Sequence, residues 1–257
     1  LLAHRPAAFI FENVVGLVVM DGGSRTDRNA QFGPTGDFTP GATFCAIVDE
    51  LRACGYDVSW RVLNSREWLP QCRERVYIVG FRADGSAASR GFRWDEVQGS
   101  AAGRASTLRD VLEEPTSEAI DACELSGTQW EAVRTQNAAY PRWGGRPCPM
   151  AERCAAVDEK VPALISSYHG VNNFTTKFVF EERDATRRDG DGDAARRPRF
   201  FTPRECARLM GFPDSYRVPP AHEDAVGAAQ WYRQIGNAVC PPVIEAIGAQ
   251  VVQLLKV

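Results

Sequence analysis

Lysine is nearly missing from this chain of 257 residues: of its 30 basic side chains only Lys160, Lys177 and Lys256 are lysines, and the rest are arginines. The formal net charge of -3 supplies no basic excess, so composition alone does not point to a nucleic acid. The arginine preference reads first as the mark of a GC-rich genome and second as phosphate recognition. No run of about 18 apolar residues occurs, and the N-terminus lacks the basic, apolar and small-residue order of a secretory leader. No membrane partner is expected, and the protein is expected to be intracellular. The eight cysteines include no C-x-x-C pair, which argues against a zinc ribbon and a disulfide framework. Cys148, Cys154 and His169 match no recurrent metal-ligand spacing, so no metal is expected. Asp189, Asp191 and Asp193 begin like a calcium loop, but Ala194 stands where the turn needs Gly and Phe200 where a bidentate Glu belongs.

The chain opens on Leu1 rather than Met, and Leu1, Leu2 and Ala3 read as the tail of an amphipathic helix, so the expectation is a truncated front end. Ala7 to Phe11 is an apolar run that stops at Glu12-Asn13, as in a buried parallel strand whose end points polar groups at a ligand. Asp21 to Gly41 reads as a long mobile loop. Phe44, Ile47, Val48 and Leu51 share one helical face over Thr43 to Cys54, with Gly55 placed as the C-terminal cap. Two strands follow, Val58 to Leu63 and Val76 to Phe81, and helix plus paired strands suggest one sheet.

Between about Arg82 and Arg197 Gly, Ser, Pro and Arg dominate and little periodicity is sustained, which suggests a second, irregular domain. Its last stretch, Arg183 to Pro198, is almost wholly charged or small and reads as a linker or surface loop. Thr202-Pro203-Arg204-Glu205 then spells a capping box with Pro in the first turn, and Gly211-Phe212-Pro213 spells a stop. Pro242 opens a final helix with Val243, Ile244, Ile247 and Val251 on one face.

Four blocks in order, Phe11-Glu12-Asn13-Val14, Gln71 to Gly80, Thr202 to Pro213 and Gln234 to Val239, resemble the signatures of DNA (cytosine-5)-methyltransferases. The resemblance implies an α/β fold: the second half of a doubly wound, Rossmann-like methyltransferase sheet with a small irregular target-recognition domain inserted. The expected boundaries are 1–82 for the catalytic part, 83–198 for the recognition domain and 199–257 for the return to the catalytic part.

The implied reaction transfers a methyl group from S-adenosyl-L-methionine to C5 of cytosine in a base flipped out of double-stranded DNA, after a cysteine thiolate adds to C6. Addition builds charge on the ring. The resemblance assigns the carboxyl that meets N3 and the exocyclic amine to Glu12, which should then be buried with a raised pKa. By spacing alone, Glu12 is more plainly a solvated strand-end residue. Arg73 and Arg75 share one face of an extended chain. The family's roles, support of the nucleophile loop and contact with cytosine O2, fall to Arg73 and Arg75 respectively, while a salt-bridged strand entrance is the bland reading. Asn237 and Ala238 are the implied cofactor-binding residues.

Family members carry the nucleophilic Cys upstream of the Glu-Asn-Val block; Pro147-Cys148 lies on the wrong side of Glu12, so the chain by itself is expected not to methylate. RNA, through a tRNA-modifying branch that shares these blocks, is the alternative polymer, and a non-catalytic regulatory subunit is the alternative role. The expected location is the nucleus in a eukaryote, or the cytoplasm and nucleoid in a bacterium.

Overall fold

The structure is a computed structural model that describes residues 1–26, 37–83, 91–99, 107–114, 118–139, 142–143, 146–147, 155, 157–168, 170–171, 176–180, 197–219 and 225–256. Cys148, Cys154, His169 and the aspartates at 189, 191 and 193 lie outside the described residues, as does nearly all of the charged stretch 183–198. The chain divides into two compact units: residues 1–68, 72–104 and 239–257 form one, and 69–71 with 105–238 the other.

The first unit is built on strands β1 (Ala8–Val14), β4 (Tyr56–Asn64) and β6 (Glu74–Arg82), with helix α1 (Ala42–Ala53) and the short strands β2 (Ser24–Arg25), β3 (Phe38–Thr39) and β5 (Gln71–Cys72) between them. The sheet order is β1-β6-β4, and β6 runs antiparallel to both neighbours. The expectation of a buried parallel strand at Ala7 to Phe11 is therefore corrected in two respects. Strand β1 is paired antiparallel, and at the sheet's edge it leaves Phe11 and Val14 about half exposed. Nor does the strand stop at Glu12, because the ladder continues through Val14 opposite Arg75. A run of apolar letters records burial but not the direction of the partner strand, which long-range pairing decides.

Period-2 alternation divides β6 between two faces. One carries Val76 and Ile78, which join Val62, Phe9, Tyr56, Val18 and the α1 residues Phe44 and Val48 in a single buried cluster. Phe44 and Val48 are two of the four residues expected on the buried face of α1; Ile47 and Leu51 are half-buried. The other face carries Arg75, Tyr77, Val79 and Phe81, opposite Val14, Glu12, Ile10 and Ala8 of β1. Leu1 to His4 form turns rather than the end of a helix. The ends of the stretch expected as a loop from Asp21 to Gly41 pair as the β2–β3 hairpin, with residues 27–36 outside the described set.

Among the described residues of the second unit the α-helices are α2 (Glu118–Asp121), α3 (Gly127–Ala139), α4 (Pro203–Met210) and α5 (Ala225–Asn237). The thirteen residues of α3 lie where the sequence showed little periodicity, because its composition is mostly polar and small and no long apolar stripe announces it. At α4 local chemistry suffices: Thr202 accepts from the Glu205 amide, Glu205 reaches back to the Thr202 amide, Pro203 occupies the first turn and Gly211 ends the helix at φ 86°. Residues 199–238, expected to return to the first unit, stay with the second. Buried aromatics hold them there: Tyr168 accepts from the Phe201 amide at 2.8 Å, and Tyr232 donates to the Phe201 carbonyl at 2.8 Å.

Helix α6 (Pro241–Leu255) returns to the first unit. Of the four residues expected on one face, Val243, Ile247 and Val251 are buried and Ile244 is half-buried, while Val252 and Leu255, off that stripe, are exposed. The stretch Ala229–Leu255 has the length and composition to cross a bilayer, yet it is two helices, broken between Asn237 and Pro241.

Candidate active site

Register brings Glu12 to its partners. Glu12 lies opposite Tyr77, and Arg75 lies opposite Val14, so Glu12 and Arg75 are diagonal neighbours on one face of the sheet. Both side chains are about one-sixth exposed, and Arg75 Nε stands 3.1 Å from Glu12 Oε1. The contact is an ion pair by distance, but Oε1 is buried and accepts no well-aligned hydrogen bond. The Arg75 guanidinium is steadied from behind, since its Nη1 donates to the Glu74 carbonyl at 2.7 Å.

Arg73 sits on the short link between β5 and β6, where its carbonyl accepts from the Ser65 amide at 2.9 Å, and its side chain is buried. Burial and the neighbouring Arg75 charge both lower its pKa, against smaller raising effects from Cys240, Glu12 and Tyr77. For Glu12, loss of solvent raises the pKa, and the attraction of Arg75 and then Arg73 only partly offsets it. Two guanidinium groups therefore bear on the one Glu12 carboxylate. Burial also pushes the Tyr77 hydroxyl up, and holds the Cys240 thiol up at about 11.

Sequence reasoning thus placed three residues that the structure brings together, Glu12, Arg73 and Arg75. Asn237 and Ala238 belong to the second unit, at the end of α5. Asn237 is exposed and Ala238 half-buried, with the Ala238 amide donating to the Ile235 carbonyl at 3.1 Å. Gly236 lies within the last turn of α5, and a Cβ there would fall 2.5 Å from the Ile165 carbonyl carbon, so its close approach is to the protein's own backbone.

Gln71 was read only as the first letter of its block. It is fully buried; its amide donates to the Leu209 carbonyl at 2.9 Å and its carbonyl accepts from the Leu164 amide at 2.8 Å, closing two distant backbone gaps of the second unit. The available sequence signal was a lone polar residue between the apolar Trp68-Leu69-Pro70 run and Cys72.

Solved structures show where this arrangement of strands and helices recurs. The S. pombe Dnmt2 methyltransferase superposes with a TM-score of 0.64 at 19% identity, covering 99% of this chain and 69% of that one. The Entamoeba histolytica methyltransferase EhMeth superposes with a TM-score of 0.63 at 16% identity, over 99% of this chain and 65% of its own. The fold is therefore that of an α/β methyltransferase. Residues 1–253 match the model of the C-5 cytosine-specific DNA methylase family, and the chain belongs to that family. Among curated relatives, the Type II methyltransferase M.NlaX of Neisseria lactamica is 31% identical over 97% of this chain and 64% of its own length. M.BsuFI of Bacillus subtilis is 30% identical over 98% of this chain and 49% of its own length. The chain spans between about half and two thirds of the curated relatives it matches.

Proposed function

We propose that this chain carries the base-holding part of an S-adenosyl-L-methionine-dependent methyltransferase that acts at C5 of cytosine in double-stranded DNA. The observation that carries the reading is the pairing of Glu12 with Arg75: a buried carboxyl with a raised pKa, one oxygen lacking an aligned donor, and a guanidinium fixed beside it. That pair matches one edge of a flipped cytosine. A carboxyl that keeps its proton above the ordinary range holds that proton at N3, its other oxygen accepts from the exocyclic amine, and Arg75 donates to O2. As the ring gains charge on attack at C6, these contacts strengthen, which is where binding becomes catalysis. Arg73, buried beside Arg75, supports the loop that bears the nucleophile.

The cofactor supplies the methyl group. Asn237, whose exposed carboxamide offers both a donor and an acceptor, and Ala238 beside it have the chemistry to hold its polar groups. Cys123, Cys206 and Cys240 are buried and burial raises their thiol pKa, which disfavours the thiolate form that attack needs. The thiolate in this proposal comes from the rest of the whole protein. The second unit reads the flanking sequence, and the protein works wherever the cell keeps its DNA.

The test is transfer of tritium from labelled cofactor by the full-length protein, with DNA and tRNA offered separately, for wild type and Glu12→Gln. Transfer to DNA that falls by about 10²–10⁴ in the variant supports the reading. Transfer to tRNA alone moves the substrate to RNA, and no transfer to either makes the protein a non-catalytic subunit.

A further inference from the structure

Between Arg73 and Arg75 lies Glu74, a carboxylate closer in sequence to both arginines than Glu12 is. Alternation turns it to the opposite face of β6, opposite Asn64. There Arg25 of the β2–β3 hairpin meets it with both arms: Nη1 donates to Oε2 at 2.5 Å and Nη2 to Oε1 at 3.0 Å. Both side chains are about one-fifth exposed, and the Arg25 guanidinium lies 5.3 Å from the centre of the Phe38 ring, its cross-strand neighbour. The pair is bidentate and sheltered, unlike a loose surface ion pair.

Arg75 spans the same strand end. Its Nε meets Glu12 and its Nη1 donates to the Glu74 backbone carbonyl, so the guanidinium lies against the Glu12 carboxylate while the Glu74 carboxylate is turned to the other face. Released from Arg25, the Glu74 carboxylate would have to pass round the strand end to compete for it.

We propose that Arg25 is a positioning residue: by taking both oxygens of Glu74 on the hairpin side of the sheet, it reserves the Arg75 guanidinium for Glu12. The inference rests on the base-holding role of Glu12, but the clamp itself is a matter of local electrostatics. The hairpin root that presents Arg25 is held independently of Glu74, through Gly41 N to Val18 O at 2.8 Å, Ala42 N to Asp21 O at 3.0 Å and Thr26 N to Asp37 O at 3.1 Å. Loss of the Arg25 side chain therefore leaves the hairpin in place and frees Glu74.

The groups that bear electrostatically on Glu12 are Arg75, Arg73, Tyr77 and Cys240. Of these Arg75 is the strongest attraction, so Arg75 drawn away by Glu74 lets the Glu12 midpoint rise further.

The experiment is a carboxyl NMR titration of Glu12 in the full chain, with the signal assigned by its loss in Glu12→Gln. Arg25→Met is expected to raise the midpoint by about one pH unit, the scale of losing a close opposite charge. Arg25→Met combined with Glu74→Gln is expected to return it to the wild-type value, because the competitor is gone while the hairpin contact stays broken. A merely structural anchor predicts the reverse, with the double variant no better than the single. No shift in Arg25→Met, or a shift that Glu74→Gln fails to reverse, overturns the proposal. If Arg25→Met loses the fold, Arg25→Gln, which stays polar but carries no charge to hold Glu74, carries the same comparison. The titration needs no methyl transfer. Failure of the clamp with transfer to DNA intact therefore sinks only the clamp, and failure of transfer with the titration as expected sinks only the enzymatic reading.

Discussion

Arg199 grips Glu205 with two hydrogen bonds, Nη1 to Oε2 at 2.7 Å and Nη2 to Oε1 at 2.9 Å, and both side chains are buried. The same carboxylate accepts from the Thr202 amide at 2.8 Å and from the Glu113 amide at 2.9 Å, so the cap of α4 and the strand-like chain before it share one charge. Arg199→Met removes the guanidinium and leaves the carboxylate in the core. The expected cost is about 3–5 kcal/mol, the range for breaking a buried pair on one side only. Urea unfolding followed by tryptophan fluorescence measures it, and a loss under about 1 kcal/mol would show that water replaces the guanidinium.

Glu12 should cost stability at neutral pH. Its folded pKa lies above the ordinary carboxylate value of the unfolded chain, so between those two values the folded state binds the proton that the unfolded state has released. Stability therefore falls as pH rises through that window and stays lower above it. Glu12→Gln, which keeps the shape without the charge, is expected to be more stable than wild type at pH 8, with the advantage gone below the unfolded pKa. Denaturation midpoints at pH 8 and pH 4 decide the matter; equal differences at both would mean that burial of Glu12 carries no net penalty.

Gly236→Ala reverses the usual effect of alanine in a helix. Alanine ordinarily gains about 1 kcal/mol over glycine there. The new Cβ would meet the Ile165 carbonyl carbon and oxygen at 2.5 Å and the Ser166 nitrogen at 2.7 Å. Backbone on both sides cannot rotate away, and a net loss of about 1–3 kcal/mol is expected. Thermal unfolding reads the sign directly, and stabilisation would show that α5 shifts to make room.

Gln71→Leu keeps the volume and removes the polar atoms that satisfy Leu209 O and Leu164 N. Each orphaned backbone group is expected to cost about 1–3 kcal/mol. Hydrogen exchange at the Leu164 amide should accelerate beyond the change in global stability, and unchanged protection at that amide would refute its dependence on Gln71.

Much of this was written locally. The start and stop of α4 follow from Thr202, Pro203, Glu205 and Gly211, each acting on atoms within a turn of itself. The buried face of α1 follows from a period of 3.6 residues, and the blocks holding Glu12, Arg73 and Arg75 pointed to a shared chemistry before any geometry was known. What the linear order could not contain is which atoms from distant segments meet. The antiparallel ladder between β1 and β6 sets Glu12 diagonally to Arg75 across more than sixty residues of chain. Helix α5 uses Gly236 against backbone seventy residues earlier rather than against a ligand. Arg25 finds Glu74, and Gln71 finds Leu209, at separations where no periodicity carries information. Propensity, capping and amphipathic spacing act within a turn or a strand and are legible in sequence. Strand direction, register and desolvation arise only when separate segments close on one another, and in this protein those three decide the charge state of the carboxyl at its candidate site.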